Sequence, residues 1–339
     1  MNAIAATDGE IAALNLESAC RRAWSRFTHD PRAPGLAEML ADMERLRLQF
    51  FGDIDALDRL DALTLEFARA DNTFRAALVH AGAASTAHRF AEARDHLSRA
   101  ASMGAREEDV QRQSLTIDQA CGTALEDVLT ARRQIAGASG RLEDLMPLGA
   151  LLAELGRFAE AHTVYSQALD AFDGTSPFPP AWASFQLGML WGELVPEPDA
   201  DLAAAWYRRA VALLPGYVKA RVHLAELCRV DAESLLKPVL GSGDPEVSWR
   251  LADALDTQGR SDEAQTLLGD AQRGFEGALE KHPLAFADHA AEFYAGSGNN
   301  LPRALELARM NAGNRPTRRA IAQMRSIAAA MQPRNEPHA

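Results

Sequence analysis

The residues best equipped for chemistry are few and scattered. His80, His88 and His96 recur at intervals of eight. Imidazoles can share a metal ion when the fold gathers them beside a carboxylate or a thiolate. A helical reading puts His80 on one helix, His88 at the next turn and His96 on the following helix. Two of the three could then meet, but this reading finds no acid or cysteine to complete the set, so no metal site is expected. Cys20, Cys121 and Cys228 are far apart and odd in number. That suits a reducing compartment and argues against both a disulfide framework and a thiolate zinc site. The acids Glu107–Glu108 and Asp199–Asp201 fall where helices should start, so they offset a helix dipole rather than form a catalytic pair. His162 and His223 flank packing positions and read as structural. The sequence contains no phosphate-binding G-x-x-x-x-G-K-[ST], no G-x-G-x-x-G after a strand, no G-x-S-x-G and no H-E-x-x-H. The expectation is a protein with no enzymatic activity and no cofactor.

The elements that must position these residues are helices almost throughout. Of the 339 residues, 47% are apolar, 24% charged and 6% aromatic, and the formal net charge is −12. Alanine is abundant and favours close helix packing, while sustained period-2 alternation is missing. Breaks such as PRAPG, DGTSPFPP, VPEPD, GSGDP and GSGNN separate apolar segments of helical period. Phe178, between prolines in the second break, reads as extended and exposed, either free for a contact or capping the hairpin beside it. The acidic balance excludes general affinity for nucleic acid or anionic membranes. No apolar run reaches bilayer-spanning length and the start is not a signal peptide, so a cytoplasmic, bacterial-type soluble protein is expected. Residues 301–334 are the exception in charge, with seven arginines against the single acid Glu306. Arg318 and Arg325, seven apart, share one helix face. It reads as a solvated face, with docking to an acidic partner as the alternative.

Helices of this length pair into antiparallel hairpins that need neighbours to cover their apolar sides. Leu145, Leu148, Gly149 and Leu152 on one helix are followed by Gly156, then by Phe158, Ala161, Tyr165 and Ala168. Leu187, Gly188 and Trp191 are followed in the same way by Ala203, Tyr207, Ala210 and Pro215. Looser versions run through Leu224–Val239, Leu251–Ala271 and Ala304–Pro316. Close approach at glycine and alanine, with tyrosine filling the gap to the next hairpin, explains these spacings. The pattern resembles the tetratricopeptide repeat, a family of 34-residue helix–turn–helix units, most strongly over residues 141–283.

The resemblance implies an all-α, right-handed α-solenoid of antiparallel hairpins. Residues 1–7 and 332–339 read as disordered. Degenerate hairpins are expected over 8–137, the array over 138–316 and a capping helix over 317–331. It also implies an open concave trough lined by first helices, holding a segment of another protein or peptide. Carried over position by position, the contact residues are Trp182, Phe185, Met189, Lys219, Glu226, Arg229, Trp249 and Asp253. Aromatic anchors with an acidic rim would select a basic and apolar segment, although the same aromatics could instead pack between hairpins. The expected role is a binding scaffold for assembly, recruitment or regulation. The alternatives are a peptide sensor whose superhelix changes shape on binding, and an enzyme with its site among the amino-terminal helices. The sequence does not fix the oligomeric state.

Overall fold

A computed structural model describes residues 6–332; residues 1–5 and 333–339, where most of the expected disorder falls, lie outside the described residues. Thr7 is tied down, its amide donating to the Thr175 carbonyl at 2.7 Å. Eighteen α-helices and no strand occur among the described residues. The first seven are α1 (Gly9–His29), α2 (Leu36–Phe51), α3 (Ala56–Ala70), α4 (Phe74–Thr86), α5 (Phe90–Ser102), α6 (Glu107–Ala120) and α7 (Leu125–Ser139). The middle of the chain forms α8 (Leu142–Glu154), α9 (Phe158–Asp170), α10 (Phe178–Met189), α11 (Ala200–Leu213), α12 (Val218–Leu227) and α13 (Ala232–Leu236). The remainder forms α14 (Pro245–Thr257), α15 (Ser261–Lys281), α16 (Pro283–Ala295), α17 (Leu301–Asn314) and α18 (Arg318–Ala330). None of the described helices is long and apolar enough to cross a membrane.

Local chemistry sets the boundaries. Asp199 caps α11 by accepting the Leu202 amide at 2.9 Å, and Asp244 caps α14 by accepting that of Glu246 at 3.0 Å. Glu107 and Glu108 open α6, as expected of acids at a helix start. The FPP stretch departs from expectation. Pro179 and Pro180 lie in the first turn of α10, where no amide donor is needed. Phe178 is therefore helical and half-buried, with its ring 5.2 Å from Phe50.

Hairpin packing follows the small–large pairing in the sequence. A Cβ added at Gly149 would lie 2.5 Å from Tyr165, and one at Gly188 would lie 2.4 Å from Tyr207. Each tyrosine thus rests on the glycine of its own hairpin. Tyr165 also joins a core that includes Leu187 and Leu190 of the next hairpin.

The trough does not stay open. Phe50, at the end of α2, packs against Tyr217 with ring centres 4.8 Å apart, covering the α10–α12 stretch of the inner face. Asp58 of α3 takes Lys281 at 2.5 Å and His282 at 2.8 Å. The His88 ring bonds the Leu284 carbonyl at 3.1 Å, and Asn314 donates to the His88 carbonyl at 2.9 Å. The coil is wound tightly enough that its last hairpins lie along its first. A cavity of about 330 Å³ remains between them, with Leu48, Ile54, Lys219, Glu246, Phe286 and His289 in its wall.

Candidate partner-binding surface

The inner ends of four successive first helices carry a continuous row of charged side chains. α10 ends in a π-helical turn, Leu190–Leu194, a wider coil that often marks functional positions. This turn carries Glu193, which ion-pairs with His223 of α12 at 2.8 Å. One turn further along α12, Glu226 approaches the same imidazole at 3.3 Å. Arg250 of α14 continues the row, 2.6 Å from Glu226 and 2.8 Å from Glu292 of α16. Below it, the Ser297 hydroxyl donates to Asp253 at 2.6 Å and accepts from the Trp249 indole at 3.0 Å.

Within this row Glu193, Glu226, Asp253 and Glu292 face His223 and Arg250, and the charge of Arg229 also acts on Asp253. Burial alone would lower the His223 pKa, but hydrogen bonds to Glu193 and Glu226 outweigh it and raise it to about 9. Burial raises Asp253 above the usual carboxylate range. A further cation reaches the row from elsewhere: Arg319 of α18 lies 3.5 Å from Glu193 across 126 positions of chain. The side chains keep solvent access, with Glu292 half exposed and Glu226 and Asp253 about one-third exposed. Chemically, the row is a strip of carboxylate acceptors bridged by cations, open along one side.

The residues expected at a partner surface divide into four groups. Glu226 and Asp253 belong to this strip, and Trp249 supports it from below. The Trp249 side chain is 3% exposed and packed against Phe275 and Phe293, while the Arg250 guanidinium lies over its ring at 3.5 Å. Phe185 is buried among Tyr207, Tyr217 and His223, and Trp182 and Met189 are half-buried around the same cluster. These aromatics pack between hairpins. Lys219 lies apart in the wall of the cavity. Arg229 is exposed in a short 3₁₀ turn after α12.

Reading the sequence by repeat position missed Arg250, Glu292, Ser297 and Arg319. The reason is geometric, because each joins the strip through a partner on a different hairpin. His223 and His162 are satisfied as expected of structural histidines, the latter accepting from the Trp191 indole at 3.1 Å. On α18, Arg318 and Arg325 are exposed to solvent.

One expectation needs correction. His80 and His96 do meet, with ring centres 4.2 Å apart, and a carboxylate accompanies them. Glu92 lies one turn before His96 on α5, so its side chain falls on the same helix face. Burial lowers the pKa of both histidines. His88 stays apart, held by Leu284.

No family model and no curated protein sequence matches the chain. Solved structures do. The Cut9–Hcn1 hetero-tetramer of the APC/C is similar with a TM-score of 0.53 and 14% identity, over 92% of this chain and 59% of that one. The chain thus spans somewhat over half the length of that neighbour. A tetratricopeptide repeat protein from Parabacteroides merdae gives 0.42 at 13% identity, covering 76% of this chain and 100% of its own. The fold is that of a tetratricopeptide-like all-α solenoid.

Proposed function

We propose that this protein is a non-enzymatic scaffold that holds a partner protein through a basic segment laid along the Glu193–Glu292 strip. The observation that carries the reading is the Arg319–Glu193 contact beside three further carboxylates, Glu226, Asp253 and Glu292. The strip already accepts one arginine presented by a helix, and Asp253 and Glu292 beside it stay reachable from solvent. Charge-assisted bonds from arginine to such carboxylates are strong and directional. The tetratricopeptide-like fold supports the same reading, since stacked hairpins offer an extended surface suited to a linear segment.

A peptide-responsive variant of this role draws on a separate observation. The chain's own α2 and α18 cover parts of the inner face. A basic ligand that displaced Arg319 would break this cross-contact between α18 and the turn after α10, while Ile327 keeps α18 packed on the last hairpin.

The test uses synthetic helical peptides of about 15 residues, arginine-bearing or acidic, titrated onto the full chain by fluorescence anisotropy. Replacing Trp249 would disturb packing, so the variants are Glu226→Gln and Asp253→Asn. Arginine-bearing peptides should bind in preference to acidic ones, and the double variant should weaken that binding about tenfold, the loss expected from removing two charged partners. Preference for acidic peptides, or binding indifferent to both substitutions, would exclude the strip.

A further inference from the structure

Away from the strip, on the hairpin of α4 and α5, three side chains with metal-binding chemistry converge. His80 comes from α4, while Glu92 and His96 come from α5. One ligand atom from each lies within 4.8 Å of the others. The imidazoles are stacked at an interplanar angle of 12°. All three residues are half-buried, so the site is preformed yet reachable from solvent.

The hydrogen bonding around the cluster is selective. Neither His80 nor His96 has a hydrogen-bond partner among the described residues. Glu92 uses one carboxylate oxygen to accept from Arg89 at 2.8 Å, and its other oxygen faces His96 at 3.9 Å. Arg89 is itself fixed by Asp61 of α3, at 2.6 and 3.2 Å. This is how a ligand carboxylate is oriented from behind: one oxygen is anchored and the other is left free. We infer that His80, Glu92 and His96 bind a divalent transition-metal ion of the zinc class, joining the two helices of the hairpin.

The donor set decides the class. Two imidazoles and one carboxylate suit zinc, nickel or copper, whereas magnesium and calcium require mostly oxygen ligands. Nitrogen–zinc distances of about 2.0–2.1 Å require the ligand atoms to draw closer together. Rotation of the two rings about χ2, a soft torsion, supplies that movement. Water would complete the coordination. The second cluster of comparable spacing, Glu193, His223 and Glu226, does not compete. There the acids are engaged by Arg250 and Arg319 and hold the His223 imidazole as a cation, so an ion would have to displace two arginines and a proton.

Zinc titration of the chelator-treated full-length protein at pH 7.5, by calorimetry or against a zinc-sensitive dye, tests the site. One ion should bind per chain with a dissociation constant in the range of roughly 1–10 µM. His80→Gln and His96→Gln should each weaken binding at least about tenfold, the least that loss of even a residue that merely orients a ligand costs. The half-exposed Glu92→Gln gives the same reading if either histidine variant fails to fold. His223→Gln should leave the affinity unchanged, and excess magnesium should not compete. Absence of binding tighter than about 100 µM would overturn the inference. So would binding that survives His80→Gln together with His96→Gln, or that is lost in His223→Gln.

Discussion

Glu44 and Glu226 are both carboxylates among arginines, in opposite halves of the chain, yet they have different surroundings. Glu44 on α2 has no solvent exposure, and both its oxygens are used. One accepts from the Trp24 indole at 2.6 Å and the Cys20 thiol at 3.2 Å, and the other from Arg59 at 2.8 Å. Arg59 and Arg47 then share Asp53, so the cluster closes on itself. The Cys20 thiol is pushed up to about 11 by burial and by Glu44, which leaves it inert. Glu226 belongs to a row that is open on one side and already shared with a distant helix. A saturated, buried polar cluster specifies a fold. A row of part-exposed carboxylates is reachable by something else.

Stability measurements separate the two most sharply. Glu44→Ala should cost about 3 kcal/mol, because it strands a half-buried indole and removes a fully buried carboxylate from its ion pair with Arg59. Urea unfolding of the intact chain gives the value. A loss below about 1 kcal/mol, the range of exposed pairs, would remove the distinction between the clusters. Glu226→Gln should cost no more than about 1 kcal/mol in the same assay, since water can solvate Arg250 and His223 once the charge is gone. A cost equal to that of Glu44 would make the strip structural.

The sequence made local packing legible and left long-range closure hidden. Gly149 with Tyr165, and Gly188 with Tyr207, could be read because each pair recurs at one spacing and answers to one steric need. Helix starts were legible for the same reason, as at Asp199 and Glu107. The contacts that wind the coil shut join residues such as Asp58 and His282, or His88 and Asn314, more than 200 positions apart. Such contacts leave no period in the chain. The aromatics at Phe185 and Trp249 fell at groove positions by repeat register, but Tyr207, Tyr217 and His223 enclose the first and Ser297 and Phe293 adjoin the second. Phe178 was misread because proline marks both an extended segment and a first helical turn. Glu92 lay in plain view, four residues before His96, but only the hairpin crossing brings His80 to it.

The smallest expected effect is the pH response of the strip, which sets its open charge against the closed cluster at Glu44. His223 has a pKa of about 9 in the folded chain, above the ordinary value of 6.5, because Glu193 and Glu226 favour its cation. Its contribution to stability is therefore complete below about pH 6.5 and fades as pH rises through about 9. Glu193 is held below the usual carboxylate range and stays charged across this window. Tyr207, stacked on the imidazole at 5.6 Å, is pushed well above it. His289 carries a similar upward shift beside Glu246, so the comparison must be made between variants rather than against a flat baseline. Between pH 6.5 and 9.5 the native chain should lose on the order of 1 kcal/mol more than His223→Gln, the shift being reduced by solvent along the open side. Equal losses in the two proteins would mean that His223 is not protonated in the strip. Glu193 and Glu226 would then be left with Arg319 and Arg250 as their cationic partners.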